Sequence, residues 1–348
     1  MLIDHSSQIM ALIRSGEAVE VGFGSPRQPV HHHRPRLAQV ILGFGAIYLI
    51  WGSTYLGIRY AVETIPPFLM MGIRHLTAGL AVFAWVRSRG TPAPELKHWG
   101  WSLGAGALLF LGGHGVLAWA EQRVPSGLAA LLCATLPLWT VMLARVDGTE
   151  VRLGLKAWAG ILLGFGGVAL LIGSDALGQR LDLLAAGGVL SSALLWAAGT
   201  SYTRKVQLPT SKILSAAIQM ICGGFLLLMV SFLGGEFRSF HVQSLTRLSI
   251  LSLVYLIVFG SIIAFTVYTW LVSVSSPSML STYAYVNPVI AVLLGWALAH
   301  EVLGLRTVIA ATVIVAGVVL VATRKGNARE IHSEEQHRFG QTAEFAAD

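Results

Sequence analysis

The chain has 348 residues, of which 55% are hydrophobic and only 12% charged, with a formal charge of +7. Ordinary globular domains carry about 25% charged residues, so the two or three soluble domains that the length alone would suggest are excluded. From Leu248 to His300 there is no Asp, Glu, Lys or Arg. That run is too long for one membrane crossing of about 20 residues, and it lacks the alternation of a membrane β-barrel strand.

Residues 1–37 come first and are polar, rich in Pro and Gly, and without an apolar stretch. They read as a disordered tail with no cleavable signal peptide. The triplet His31, His32 and His33 reads as part of a solvated basic arm, because no second ligand cluster accompanies it. Apolar runs then mark ten helices near 38–60, 67–86, 99–119, 126–145, 153–173, 183–203, 212–234, 249–272, 278–299 and 304–323. Residues 324–348 form a second polar tail. Cys133 and Cys222 both lie in apolar runs and read as small buried hydrophobes.

Lys and Arg in the loops set the orientation. With the N-terminus in the cytoplasm, 17 of them fall inside and 5 outside, while Arg59 and Arg74 lie within spans. An even number of crossings returns the C-terminus to the cytoplasm. The positive charge is thus a topology signal, and no basic surface for nucleic acid is visible.

The chain also repeats itself. A shift of 151 places Pro137 on Pro288, Glu150 on Glu301 and Gly166 on Gly317; a shift of 145 places Trp51 on Trp196 and Arg59 on Arg204. Helices one to five therefore correspond to helices six to ten. Five is odd, so the second half enters from the opposite face. The expected fold is an all-α polytopic membrane protein, ten transmembrane helices built as two inverted five-helix repeats, 38–173 and 183–323. Such repeats recur in secondary transporters, with the substrate near the midplane between the halves.

Charged groups inside spans are costly and usually functional. Arg74 and His114 lie at similar depth, with His75 and Glu121 close in sequence to them. Arg74 suits a substrate carboxylate, or alternatively ties down backbone carbonyls between helices. Glu121 with His114 suits proton exchange, although Glu121 ends its span and reads better as a rim residue. Polar and aromatic stripes recur at helical spacing: Tyr48, Trp51, Tyr55 and Arg59; Trp196 and Thr200; Ser261, Phe265 and Tyr268; Ser278, Thr282 and Tyr285, with Asn287 one step around. They face a substrate pathway or other helices, since lipid does not favour hydroxyls at mid-depth. Pro137 and Pro288 are expected to bend their helices, and Glu150 and Glu301 to sit at the starts of helices five and ten. The glycine runs 112–115 and 164–167 allow close helix contact; no phosphate-binding loop surrounds them.

Several stretches resemble a known family: "IYLIWGSTYLGIRYAV", "PPFLMMGIRHLTAGL", "WAEQRVPSGLAALLCATLPLW", "VFGSIIAFTVYTWL" and "TYAYVNPVIAVLLGWALAHE". They are similar to the drug/metabolite transporter superfamily, specifically the EamA-domain permeases of the YedA-like group, over residues 40–323. The resemblance implies ten helices, two EamA repeats, a central cavity and an inner-membrane permease, often an exporter. It also implies asparagine where this chain has His114. The function expected is therefore secondary export of small metabolites or drugs by alternating access, with a proton as a candidate coupling ion and no metal or cofactor. The competing readings are an integral membrane enzyme acting on lipids and a channel. No Asp lies in any span and neither HExxH nor GxSxG occurs, which weighs against the enzyme. No ring of charges is readable, which weighs against the channel.

Overall fold

Inside a bilayer an apolar segment must satisfy its own backbone, which leaves the helix as the local solution for runs that do not alternate. The computed structural model describes residues 37–146, 154–172, 182–275, 279 and 282–322, and among them there are helices and no strand. Helix α1 spans Leu37–Ala61, α2 Pro67–Ser88, α3 Leu96–Glu121, α4 Ser126–Val146 and α5 Leu155–Ile172. Helix α6 spans Leu183–Lys205, α7 Lys212–Leu233, α8 residues 247–274, α9 Tyr283–Ala299 and α10 Leu305–Ala322. These positions follow the apolar runs to within a few residues. Helices α1–α4 and α6–α8 are long and apolar enough to cross a membrane; the apolar stretches of α5, α9 and α10 are shorter. Large apolar side chains such as Leu42, Leu162, Phe232 and Leu251 point outward, as a lipid-facing surface requires. The protein is a multi-pass helical membrane protein. The two tails and Glu150 lie outside the described residues, as does the side chain of Tyr285.

Several helix starts have an identifiable physical cause. Asp182 accepts from the backbone N–H of Leu184 and Ala185 at the start of α6, and Thr246 accepts from Ser249 at the start of α8. Pro66 and Pro67 open α2, where a missing N–H costs nothing. No local side chain caps α2. Glu236, in the link after α7, instead accepts from Phe68 N–H at 3.3 Å and Leu69 N–H at 2.8 Å.

The helices pair in a regular pattern. Helix α2 packs on α7, α5 on α10 and α4 on α9. Helix α1 packs on α9 as α6 does on α4, α3 on α6 as α8 does on α1, and α3 on α7 as α8 does on α2. Glycines make the closest approaches possible. A Cβ at Gly224 would stand 2.5 Å from Leu76 N, and one at Gly317 2.5 Å from Gly164 N. Gly166, which the repeat aligns with Gly317, has open space beside it. Helix α5 therefore meets α10 through Gly160, Gly164 and Gly167, and the one-to-one glycine match does not carry over into the packing.

Two helices depart from α geometry. Ala107–Gly115 in α3 and Leu256–Ile263 in α8 are π-helical. They lie at corresponding places in the two halves, and wide turns of this kind cluster at functional sites. The two prolines occupy different settings. Pro288 sits inside continuous α9, whereas α4 breaks at Ala134 and Thr135 and Pro137 is the second residue of its resumed segment, Leu136–Val146. Pro137 thus follows an interruption, where its missing N–H leaves no helical bond broken.

Candidate functional site

The α1 stripe meets α8 and α9. Thr282 donates to the Met279 carbonyl, so Tyr48 donates to the Thr282 hydroxyl at 2.5 Å. Trp51 donates through Nε1 to the Gly260 carbonyl at 3.3 Å, in the π-helical turn of α8. Its ring lies 5.2 Å from that of Tyr268 and 5.1 Å from that of Tyr283. One turn on, the Tyr55 hydroxyl lies beside the Cys133 thiol of α4, within electrostatic reach of Glu121 and Tyr283.

Helices α2, α3 and α6 build the other side. The His75 and His114 rings stack nearly parallel at 4.9 Å, and His114 Nδ1 and His75 Nε2 share a hydrogen bond of 2.9 Å. Trp196 of α6 packs against His114 at 4.5 Å. His114 reaches this position from the π-helical stretch of α3. There Gly112 and Gly113 leave room for Leu195 and Trp196: a Cβ at Gly113 would stand 2.9 Å from the indole.

Arg74 and Glu121 lie between these clusters. Arg74 is 3% exposed; its Nε donates to Ser261 Oγ at 2.9 Å and its Nη1 approaches the Met71 sulfur at 3.8 Å. It neither reaches out to water nor ties down backbone carbonyls; its partner is a side chain of the π-helical turn of α8. Glu121 is 0% exposed, and neither carboxylate oxygen has a hydrogen-bond partner. The rim position expected for it is therefore corrected. Arg59 Nη1 donates to the Glu121 and Gln122 carbonyls at 2.8 and 3.1 Å, at the end of α3.

Glu301 also sits elsewhere than expected. Its carboxylate caps α4 instead of α10: Oε1 accepts from Ser126 N–H and from the Ser126 hydroxyl, both at 2.7 Å, and Oε2 accepts from Gly127 N–H at 2.9 Å. Local sequence pointed to the next helix, but His300 adopts a left-handed turn (φ 54°) and Glu301 N–H returns to the Gly295 carbonyl at 3.0 Å. That turn directs the side chain back across the bundle.

Among the predicted residues, Trp51, Tyr268 and Thr282 gather on one side, His114 and Trp196 on the other, and Tyr55 and Arg74 lie near Glu121. Asn287 is buried with Oδ1 unpaired. Its carbonyl oxygen would stand 3.2 Å from a Cβ at Gly52, so it marks close α1–α9 packing. Sequence reasoning missed Tyr283, which falls between the Thr282 and Tyr285 stripe positions, and Cys133, read only as an apolar filler. It also missed Glu236, whose two partners are more than 160 residues away. Among the described residues no group of three or more His, Cys, Asp or Glu side chains gathers as metal ligands would.

The family model described as the EamA-like transporter family matches residues 38–173 and again 183–323. The chain belongs to that family. The inner membrane transporter YedA of Escherichia coli K12 is 38% identical to this EamA-like transporter over 296 residues, covering 83% of this chain and 94% of that protein. Transporter YoaV of Bacillus subtilis is 25% identical, covering 82% of this chain and 97% of that one. A protein of Escherichia coli K12 described as "Probable amino-acid metabolite efflux pump" is 24% identical, covering 64% and 74%. One crystal structure at 23% identity shares the fold with a TM-score of 0.55, covering 84% of this chain and 100% of its own. This EamA-like transporter is thus a multi-pass membrane protein that moves a small molecule through the bilayer.

Proposed function

We propose that this EamA-like transporter is a secondary carrier that exports small metabolites or drugs by alternating access. In this reading its ten helices form two inverted repeats, 38–173 and 183–323, in an inner membrane, with both termini cytoplasmic. The observation that carries the reading is the pairing pattern. Exchanging α1–α5 with α6–α10 turns the main helix contacts into one another, and the polar residues lie where the halves meet. Two related halves with opposite orientation supply one gate per membrane face. The matching π-helical stretches of α3 and α8 support the same relation.

Within this reading Trp51, Tyr55, Arg74, His114, Trp196, Tyr268, Thr282, Tyr285 and Asn287 line or support the substrate pathway. Arg74 offers a charge to an anionic group, and the aromatic rings offer flat apolar faces. Efflux in one relative's description favours export. The test is a panel of candidate solutes: growth rescue and export in an overexpressing strain, followed by flux in proteoliposomes. Saturating flux with counterflow is expected. Flux without saturation or counterflow would make the protein a channel, and conversion of a lipid would make it an enzyme.

A further inference from the structure

Building on the carrier reading, we propose that Glu121 is a proton-carrying site that works with Arg74. An anionic solute held by Arg74 and a proton held by Glu121 cross together, as an electroneutral load.

Two buried groups within electrostatic reach of each other, Glu121 and Arg74, each have an unmet bonding need. Glu121 is fully buried, and no donor of the described residues reaches either of its oxygens. The titratable and charged groups within electrostatic reach of it come from α1, α2, α4 and the segment after α9. They are Tyr55 and Arg59 of α1, Arg74 of α2, Cys133 of α4 and Glu301 from the segment after α9. Neither arginine bonds the carboxylate. Arg59 is occupied by the Glu121 and Gln122 carbonyls, and Arg74 by Ser261 and the Met71 sulfur. Lys97 pairs with Glu95 and Arg123 with Asp182, away from this carboxylate. Both oxygens of Glu301 are already engaged by the start of α4. An ionised carboxylate left unpaired in such a place is the costliest arrangement available to it, and a carboxyl with its proton is tolerated far better.

Arg74 has the complementary need. Its guanidinium is buried with a hydroxyl and a thioether as partners, and it lacks a counter-anion. His75 and His114, which lie near it, already share a hydrogen bond with each other. A solute carboxylate would supply the missing negative charge. Ionised Glu121 would compete for the same guanidinium, so solute binding and proton binding reinforce each other. The exchange is balanced. One O–H bond forms between a Glu121 oxygen and a proton taken from water on one membrane face. The same bond breaks to water on the other face, after the solute leaves.

Infrared spectra of the full-length protein in lipid, titrated with pH, test the site without any solute. A protonated carboxyl stretch that titrates in wild type and is lost in Glu121→Gln is expected, with Glu121→Asp keeping a titrating band. No band assignable to Glu121 at any pH at which the protein stays folded would overturn the proposal. A second arm loads proteoliposomes with a pH dye and applies pyruvate or N-acetylglycine gradients. Dye-reported proton movement should accompany the anion in wild type and be lost in Glu121→Gln. Saturating anion flux with no proton movement in wild type would overturn the shared crossing. If neither anion nor any other solute moves, the carrier reading fails, and the infrared titration still decides whether Glu121 carries a proton.

Discussion

Glu301 and Glu121 lie within electrostatic reach of each other, yet they are treated in opposite ways. Glu301 accepts three hydrogen bonds from Ser126 and Gly127 and so holds the second half of the chain to the start of α4. Glu121 is buried deeper and accepts none. A carboxylate with both oxygens bonded to a helix start is a structural tie. One that the fold buries and leaves without a partner is maintained at a cost in stability, which is where function is to be sought. Glu236 belongs with Glu301: it too comes from the second half and caps a helix of the first, α2.

Four substitutions would break or sharpen that contrast. The largest effect on transport is expected for Arg74→Ala, which removes a buried charge within electrostatic reach of Glu121. Transport should fall by roughly tenfold or more, the equivalent of at least one lost charged contact, with the protein still present in the membrane. Normal solute flux at normal abundance would remove Arg74 from the mechanism. The largest effect on stability is expected for Glu301→Ala, which strips two backbone N–H groups and a hydroxyl of their acceptor. A loss of about 3 kcal/mol or more is expected, given ~1–3 kcal/mol for each buried group left unsatisfied. The midpoint of thermal unfolding in detergent measures it, and a midpoint equal to wild type would refute the tie.

Gly295→Ala probes the same tie through space alone. A Cβ there would stand 2.4 Å from Glu301 Oε2 and 3.2 Å from Ser126 Oγ. Displacing the carboxylate should cost about 1–3 kcal/mol, again read from thermal unfolding; a neutral result would mean the carboxylate moves aside freely. The smallest effect belongs to Gly166→Ala, where nothing lies within 4 Å. Stability should stay within about 0.5 kcal/mol of wild type. A drop comparable with that of Gly295→Ala would restore Gly166 to the α5–α10 contact.

Much of the molecule was legible in its sequence. The charge-free run from Leu248 to His300 demanded membrane helices, and the helix positions follow from apolar runs and their breaks. Trp51, Tyr55, Arg74, His114 and Trp196 stood out because polar or aromatic side chains in apolar helices are conspicuous. Glu121 was misplaced for a physical reason. A residue that ends an apolar run reads as solvent-exposed, whereas in the fold Glu121 is buried and its backbone carbonyl accepts from Arg59, 62 positions earlier. The π-helical turns were also hidden, because a single widened turn leaves no pattern in hydropathy.

Composition and periodicity therefore determined that this chain crosses a membrane as helices, and where those helices fall, because both are properties of local segments in a uniform solvent. Only the tertiary structure decided which carboxylate is satisfied. Glu301 has its three donors because residues 126 and 127 meet it from across the bundle, and Glu121 has none because no donor was brought there. Hydrogen bonding at such a site is set by distances of about 3 Å between residues far apart in the chain, and no local reading of residue types contains those distances.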